Sequence, residues 1–159
     1  MSGDGFGYAL QADEGEARWF LGNLMTVKAG GNDTHGSFTL LEVVAPPGFA
    51  PPPHLHRRED EAFYLLAGEM SITCGNQTWH LGPGGFAFLP RGVPHGFRVS
   101  EVGPARMLQL TLPAQFERFA AAVGEPATHR TLPPPADPDI ARLLAVLPQF
   151  DIELVPPPS

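Results

Sequence analysis

Between Trp19 and Leu112 the apolar residues come in short runs, many alternating with polar residues, and turn-forming clusters break the runs at close intervals. The breaks are Gly30-Gly31-Asn32-Asp33, Pro46-Pro47-Gly48, Ala67-Gly68-Glu69, Cys74-Gly75-Asn76, Gly82-Pro83-Gly84-Gly85 and Gly103-Pro104. Alternation is the period of a strand with one face on a core, so many short strands with regular Gly/Pro punctuation predict an all-β sandwich or small barrel. Past Leu112 the period changes. Phe116, Phe119, Ala120 and Val123 recur at helical spacing, and Gly124 stands where a helix ends. A Pro-rich connection follows. Asp137-Pro138 then offers an N-cap and first-turn proline for a second helix with Ile140, Leu143, Leu144 and Leu147 on one face and Pro148 as its stop. Both helices are expected to pack outside the barrel. The predicted organisation is an N-terminal arm over residues 1–18, a barrel over 19–113, and C-terminal helices with a Pro-rich tail over 114–159. The arm is Gly- and acid-rich with little periodicity, so it is expected to order only against the barrel or a partner.

Length and charge narrow the class. A chain of 159 residues makes one ordinary domain with a real core. A net charge of −7 without any Lys/Arg cluster argues against nucleic acid or an anionic membrane surface as partner. No apolar run is long enough to cross a bilayer. Met1-Ser2-Gly3-Asp4-Gly5 carries no basic and apolar leader, and Cys74 is the single cysteine, so a cytoplasmic address is expected. Cys74, beside a Gly-Asn turn, reads as a small buried apolar group rather than a reactive thiol.

The chemistry lies in His54-Leu55-His56-Arg57-Arg58-Glu59-Asp60-Glu61 and Pro90-Arg91-Gly92-Val93-Pro94-His95. Alternate residues of a strand share a face, so His54 and His56 present their rings side by side. Glu61 heads the apolar run Ala62-Phe63-Tyr64-Leu65-Leu66 and would enter the same cavity from the next strand, while His95 closes the site from afar. Three imidazoles and a carboxylate suit one divalent metal: Fe, Ni, Co, Mn or Zn. Zinc could close the set tetrahedrally, whereas an octahedral ion keeps positions for a small-molecule substrate. Parity from Glu61 points Phe63 and Leu65 inward, and parity from His95 does so for Val93, Phe97 and Val99; Phe63 and Phe97 are the predicted substrate-pocket residues. His80 reads as a surface histidine, His35 as turn chemistry and His129 as exposed. Arg57-Arg58-Glu59-Asp60 reads as a solvated loop, at most a charged rim at the pocket mouth.

These residues resemble the two motifs of the cupin superfamily. Gly48, His54, His56, Glu61 and Gly68 occupy the places of the first motif, and Gly84, Pro90, Gly92 and His95 those of the second. Val99 stands where many members have asparagine, and Gly85 where aspartate is common; both departures lie outside the ligand set. The resemblance implies a double-stranded β-helix, or jelly-roll, barrel. The layout from Trp19 onward, with a strand pair and Gly-Gly turn before the barrel and a helix at Gln115-Phe116-Glu117-Arg118-Phe119 after it, is similar to the small bacterial quercetinase-like cupins. In that group the glutamate at the place of Glu61 takes the proton of a bound hydroxyl, the flavonol enolate reacts with dioxygen, the ring opens and carbon monoxide leaves. Many resembling cupins are dimers that pair sheets or exchange an N-terminal segment, so a homodimer is expected here, with Trp19-Phe20-Leu21 fitting that habit.

Three functions are compatible with this reading. One is a metal-dependent dioxygenase acting on a flavonol or related enolisable aromatic, with Glu61 as the catalytic residue. A redox-neutral cyclase or isomerase of a polyketide-like compound would use the metal only to polarise a carbonyl. A non-catalytic binding cupin has the least support, because no DNA-binding or signalling module is attached.

Overall fold

The structure is a computed structural model and describes residues 7–156. Residues 1–6 of the expected arm and residues 157–159 of the expected tail lie outside the described residues. Among the described residues, twelve strands form two antiparallel sheets: β1 (Glu16–Phe20), β2 (Asn23–Ala29), β3 (Thr39–Ala45), β4 (His54–His56), β5 (Asp60–Ala67), β6 (Met70–Cys74), β7 (Gln77–Leu81), β8 (Phe86–Leu89), β9 (His95–Val99), β10 (Ala105–Leu112), β11 (Glu125–Pro126) and β12 (Ile152–Leu154). The larger sheet runs β11-β1-β2-β3-β10-β5-β8 and the smaller β12-β4-β9-β6-β7. Strands adjacent in sequence repeatedly fall in opposite sheets, β3 to β4, β4 to β5 and β9 to β10, which is the winding of a jelly roll. Among the described residues, no helix is long and apolar enough to cross a membrane.

The alternation seen in the sequence is what builds the barrel wall. On β3 every second residue from Thr39 to Ala45 is buried, and on β10 the same holds from Ala105 to Thr111. These two strands pair in full register and bring Leu41, Val43, Ala45, Ala105 and Met107 onto one inner face. Leu65, Ile72 and Val99, all fully buried, join the same core from both sheets.

After the barrel, α1 (Phe116–Val123) buries Phe116, Phe119 and Ala120, as its period predicts. Gly124 ends it for a reason other than handedness: its φ is −91°, and a Cβ there would lie 2.3 Å from the Trp19 carbonyl oxygen. The second helix, α2 (Ile140–Val146), starts later than the sequence predicts. Its N-cap is Asp139, whose carboxylate accepts from the Arg142 N–H at 3.0 Å, and not Asp137. Its inner face is Leu143 and Val146, continued by Leu147, while Ile140 and Leu144 are exposed. The α-helix stops just before Pro148, as predicted, and Pro148 then lies in the first turn of a short 3₁₀ stretch, Leu147–Phe150, where the missing N–H is harmless.

That turn feeds an element absent from the sequence reading. β12, in the 114–159 segment expected to hold helices and a Pro-rich tail but no strand, pairs with β4 at Ile152↔His56, Glu153↔Leu55 and Leu154↔His54. At the other end, the segment before β1 lies along β2: Lys28 Nζ donates to the carbonyls of Gln11 at 3.0 Å and Glu14 at 2.8 Å. β1 opens at Glu16, ahead of the Trp19 boundary expected from sequence.

Gly68 sits at φ +83°, and a Cβ there would lie 2.5 Å from the Pro104 carbonyl oxygen and 2.9 Å from Ala105 Cα. Gly103, in the neighbouring turn, would meet nothing within 4 Å. Gly68→Ala should therefore lower the unfolding free energy by about 2 kcal/mol or more, and Gly103→Ala by less than about 0.5 kcal/mol. Urea denaturation of the two variants checks the pair; equal midpoints would contradict it.

Candidate metal centre

The four predicted ligands come from three strands. β4 is only three residues long, yet its pleat places His54 and His56 on one face with Leu55 turned away. β9 begins at His95, which is the registered partner of His54, so the second motif meets the first across a strand pair. Glu61 is the second residue of β5, on the opposite sheet, and shares one face with Phe63 and Leu65. One ligand atom from each of His54, His56, Glu61 and His95 lies within 4.8 Å of the others. His56 and His95 stack with 4° between their ring planes, and His54 meets both edge-on.

Each imidazole is oriented through its other nitrogen. His54 Nδ1 lies 3.0 Å from the Pro52 carbonyl and His95 Nδ1 3.2 Å from that of Val93; a carbonyl only accepts, so both rings carry their proton on Nδ1. His56 Nδ1 lies 3.2 Å from Glu59 Oε1 and carries its proton for the same reason. This leaves the Nε2 atoms facing inward. His95 Nε2 is 2.8 Å and His56 Nε2 3.3 Å from Glu61 Oε2, yet these three buried atoms make no hydrogen bond of acceptable geometry. The other Glu61 oxygen is engaged, accepting from Gln109 Nε2 at 2.6 Å. Buried polar atoms are rarely left without partners. Two nitrogen donors and a carboxylate oxygen converging in this way, with His54 beside them, are what a divalent cation would satisfy, and the residues present fit one.

The electrostatics agree with that use. Burial pushes His54 down to about 4, helped by the neighbouring imidazoles, so it is neutral at neutral pH. Burial would lower His56 as well, but the charge and close approach of Glu61 and the hydrogen bond to Glu59 override it and raise His56 to about 10. Burial would raise Glu61, and the facing His56 and His95 instead hold it well below the usual carboxylate range. Without a cation, a proton on His56 balances the Glu61 charge.

The centre forms one wall of a cavity with about 70 Å³ of free space, otherwise largely apolar. Phe63 and Phe97 line it, their ring centroids 5.5 Å apart, with Phe49 5.8 Å from Phe97. Leu65 and Val99 point inward but belong to the packed core. Leu143, Leu147, Ile152 and Leu154 complete the wall, so the segment beyond the barrel reaches the site. His80 and His129 are exposed, and His35 sits at φ +53° in a turn, all as the sequence predicts.

Three neighbours of the candidate centre escape the sequence reading. Glu59, read as part of a solvated loop, is 1% exposed, and Gln115 Nε2 donates to it at 2.7 Å. Only its neighbours in that run face outward: Arg57 pairs with Glu153, and Asp60 with Arg91. Gln109 was findable, since inward parity on β10 runs Met107, Gln109, Thr111 and a polar residue there requires a partner. Asn23, buried on β2, lines the cavity with its Oδ1 unpartnered.

Comparison with known proteins supports the same assignment. Residues 41–111 match the Cupin domain family. The chain is 28% identical over 134 residues to quercetin 2,3-dioxygenase of Bacillus subtilis (strain 168), an alignment covering 84% of this chain and 40% of that protein. The chain thus spans well under half the length of that relative. Among solved structures, the polyketide cyclase RemF from Streptomyces resistomycificus is similar with a TM-score of 0.58 and 25% identity, over 67% of this chain and 80% of that one. An RmlC-like cupin from Shewanella frigidimarina NCIMB 400 is similar in fold, with a TM-score of 0.59 and 18% identity over 72% of this chain and 96% of its own. The two motifs, the two-sheet barrel and these likenesses agree: residues 41–111 carry a cupin domain within the jelly-roll barrel.

Proposed function

We propose that the chain is a metal-dependent dioxygenase acting on a flavonol or related enolisable aromatic, with one divalent ion held by His54, His56, Glu61 and His95 and the substrate bound directly to it. The observation that carries this reading is the divided Glu61 carboxylate, with Oε2 turned to the imidazole nitrogens and Oε1 held by Gln109 at the edge of an apolar cavity. When bound, a divalent cation supplies Lewis acidity to a substrate oxygen and, where it accepts five or six donors, positions beyond these four side chains. Glu61 Oε2 takes the proton of the substrate hydroxyl, and Gln109 keeps the carboxylate in place while it does so. Phe63 and Phe97 hold a flat ring, and the apolar wall excludes water from the enolate. The likeness to quercetin 2,3-dioxygenase supports the substrate class. A redox-neutral cyclase is the second reading, favoured by the likeness to the polyketide cyclase.

The outer faces of β5 and β8 are where a second copy would pack to form the homodimer. Tyr64, Phe86 and Phe88 are exposed there on adjacent strands, and the edge strand Phe86-Ala87-Phe88-Leu89 carries no charge to discourage pairing.

Protein purified without chelators should hold about one divalent ion per chain by elemental analysis. With a flavonol it should consume dioxygen, and Glu61→Gln should slow that uptake by about a hundredfold or more. Turnover without dioxygen would replace the dioxygenase by the cyclase. Metal binding must displace the proton that keeps His56 charged up to about 10, while His54 is already neutral. The apparent zinc affinity should therefore rise with pH, by up to about tenfold per unit between about pH 6 and pH 8; a flat profile in a competition titration would contradict it. Light scattering should give twice the 17.1 kDa chain mass and Phe88→Lys the single mass, whereas a monomeric parent at all concentrations would remove the dimer.

A further inference from the structure

The three imidazoles are not oriented in the same way. His54 and His95 use one device, a backbone carbonyl two residues earlier in the chain: Pro52 at 3.0 Å and Val93 at 3.2 Å. His56 instead faces Glu59, three residues further on, with Nδ1 3.2 Å from Oε1. That carboxylate is 1% exposed. Its Oε1 also accepts from Gln115 Nε2 at 2.7 Å, and the same nitrogen donates to the Phe150 carbonyl at 2.7 Å. Gln115 is the residue preceding α1, and Phe150 ends the turn before β12, so the Gln115 amide ties the Glu59 carboxylate to two elements outside the barrel.

Burying a carboxylate is expensive, and a bracket meant only to hold the fold would do better with neutral groups. Glu59 also does not behave as a bracket, because its Oε2 is buried without a hydrogen-bond partner. What a carboxylate offers and an amide does not is acceptance alone. It fixes which ring nitrogen carries the proton, and its charge makes the opposite nitrogen a stronger donor. We infer that Glu59, held by Gln115, is a positioning residue of the metal centre: it keeps the His56 proton on Nδ1, turns Nε2 toward the cation and strengthens it as a ligand. This rests on the four-ligand reading proposed above.

The test is a zinc competition titration at fixed pH with a chromophoric chelator, on the parent, Glu59→Gln, Gln115→Leu and Gly68→Ala. Glu59→Gln should bind zinc about 10- to 100-fold more weakly, and Gln115→Leu more weakly by a smaller factor. Gly68→Ala, less stable but remote from the ligands, should keep the parent's affinity, which separates positioning from a general loss of stability. If the parent binds zinc and Glu59→Gln binds within about threefold of it, this inference fails and the metal centre stands. A parent that does not bind zinc overturns both. Long-range proton–nitrogen NMR of the zinc-loaded parent needs no variant to fold. It should show His56 protonated at Nδ1, and a proton on Nε2 would overturn the inference.

Discussion

Placing Glu59 and Glu61 on either side of one imidazole, all three buried, costs several kcal/mol per ion in effective desolvation before any contact is counted. The structure offsets that cost locally. Glu61 receives the Gln109 amide and faces His95 as well as His56. Glu59 receives the Gln115 amide. His56 itself is driven the opposite way to His54, raised to about 10 rather than lowered to about 4, although burial acts on both in the same sense. The difference is the pair of carboxylates, and it decides which ligand must give up a proton when a cation enters. A charged cluster of this kind is stable only while every member keeps its partner. The strands and helices that supply those partners are therefore part of the site.

This explains why the chain does not end with the barrel. β4 carries two of the ligands but has only three residues, and its registered pairing with β9 is the single pair His54↔His95. β12 supplies three further pairs, one of them opposite His56. The same C-terminal segment places Leu143, Leu147, Ile152 and Leu154 in the cavity wall. With about 70 Å³ free, the cavity is far below the 300–1,000 Å³ typical of sites for drug-sized ligands, so a flavonol-sized guest requires part of that wall to move. The C-terminal part of that wall includes Ile152 and Leu154 of β12, the strand that backs the ligands. β12 thus borders both the ligand-bearing strand and the cavity.

What could be read in the sequence was whatever local periodicity or spacing encodes. His54 and His56 are fixed on one face by the pleat, Phe63 follows from Glu61 by parity, and α1 follows from the recurrence of Phe116, Phe119 and Ala120. Long-range partnerships left no such trace. Ile152-Glu153-Leu154 is too short to carry a period, and becomes a strand only because β4 offers it an edge. Glu59 lies among Arg57, Arg58 and Asp60, and a four-residue polar run gives no sign that one member turns inward. Its burial is set by Gln115, which is distant in sequence and contributes by position rather than by motif. The α2 start moved from Asp137 to Asp139 for a similar reason. Both aspartates can cap a helix, and the buried face that selects between them, Leu143, Val146 and Leu147, is defined by the barrel it covers.

The four candidate ligands also differ in how freely each can leave the centre. His54 and His95 are tied through Nδ1 to carbonyls of their own segments, and His56 to Glu59, so turning any of these rings away breaks the bond that orients it. Glu61 alone has its second anchor on the cavity side. Gln109 lines the cavity and donates to Oε1, whereas Oε2 faces the imidazoles. A small rotation of the carboxylate can withdraw Oε2 while the Gln109 bond persists. Of the four groups, the carboxylate is therefore the one that can draw its inward-facing atom back from the centre while its orienting bond stays intact.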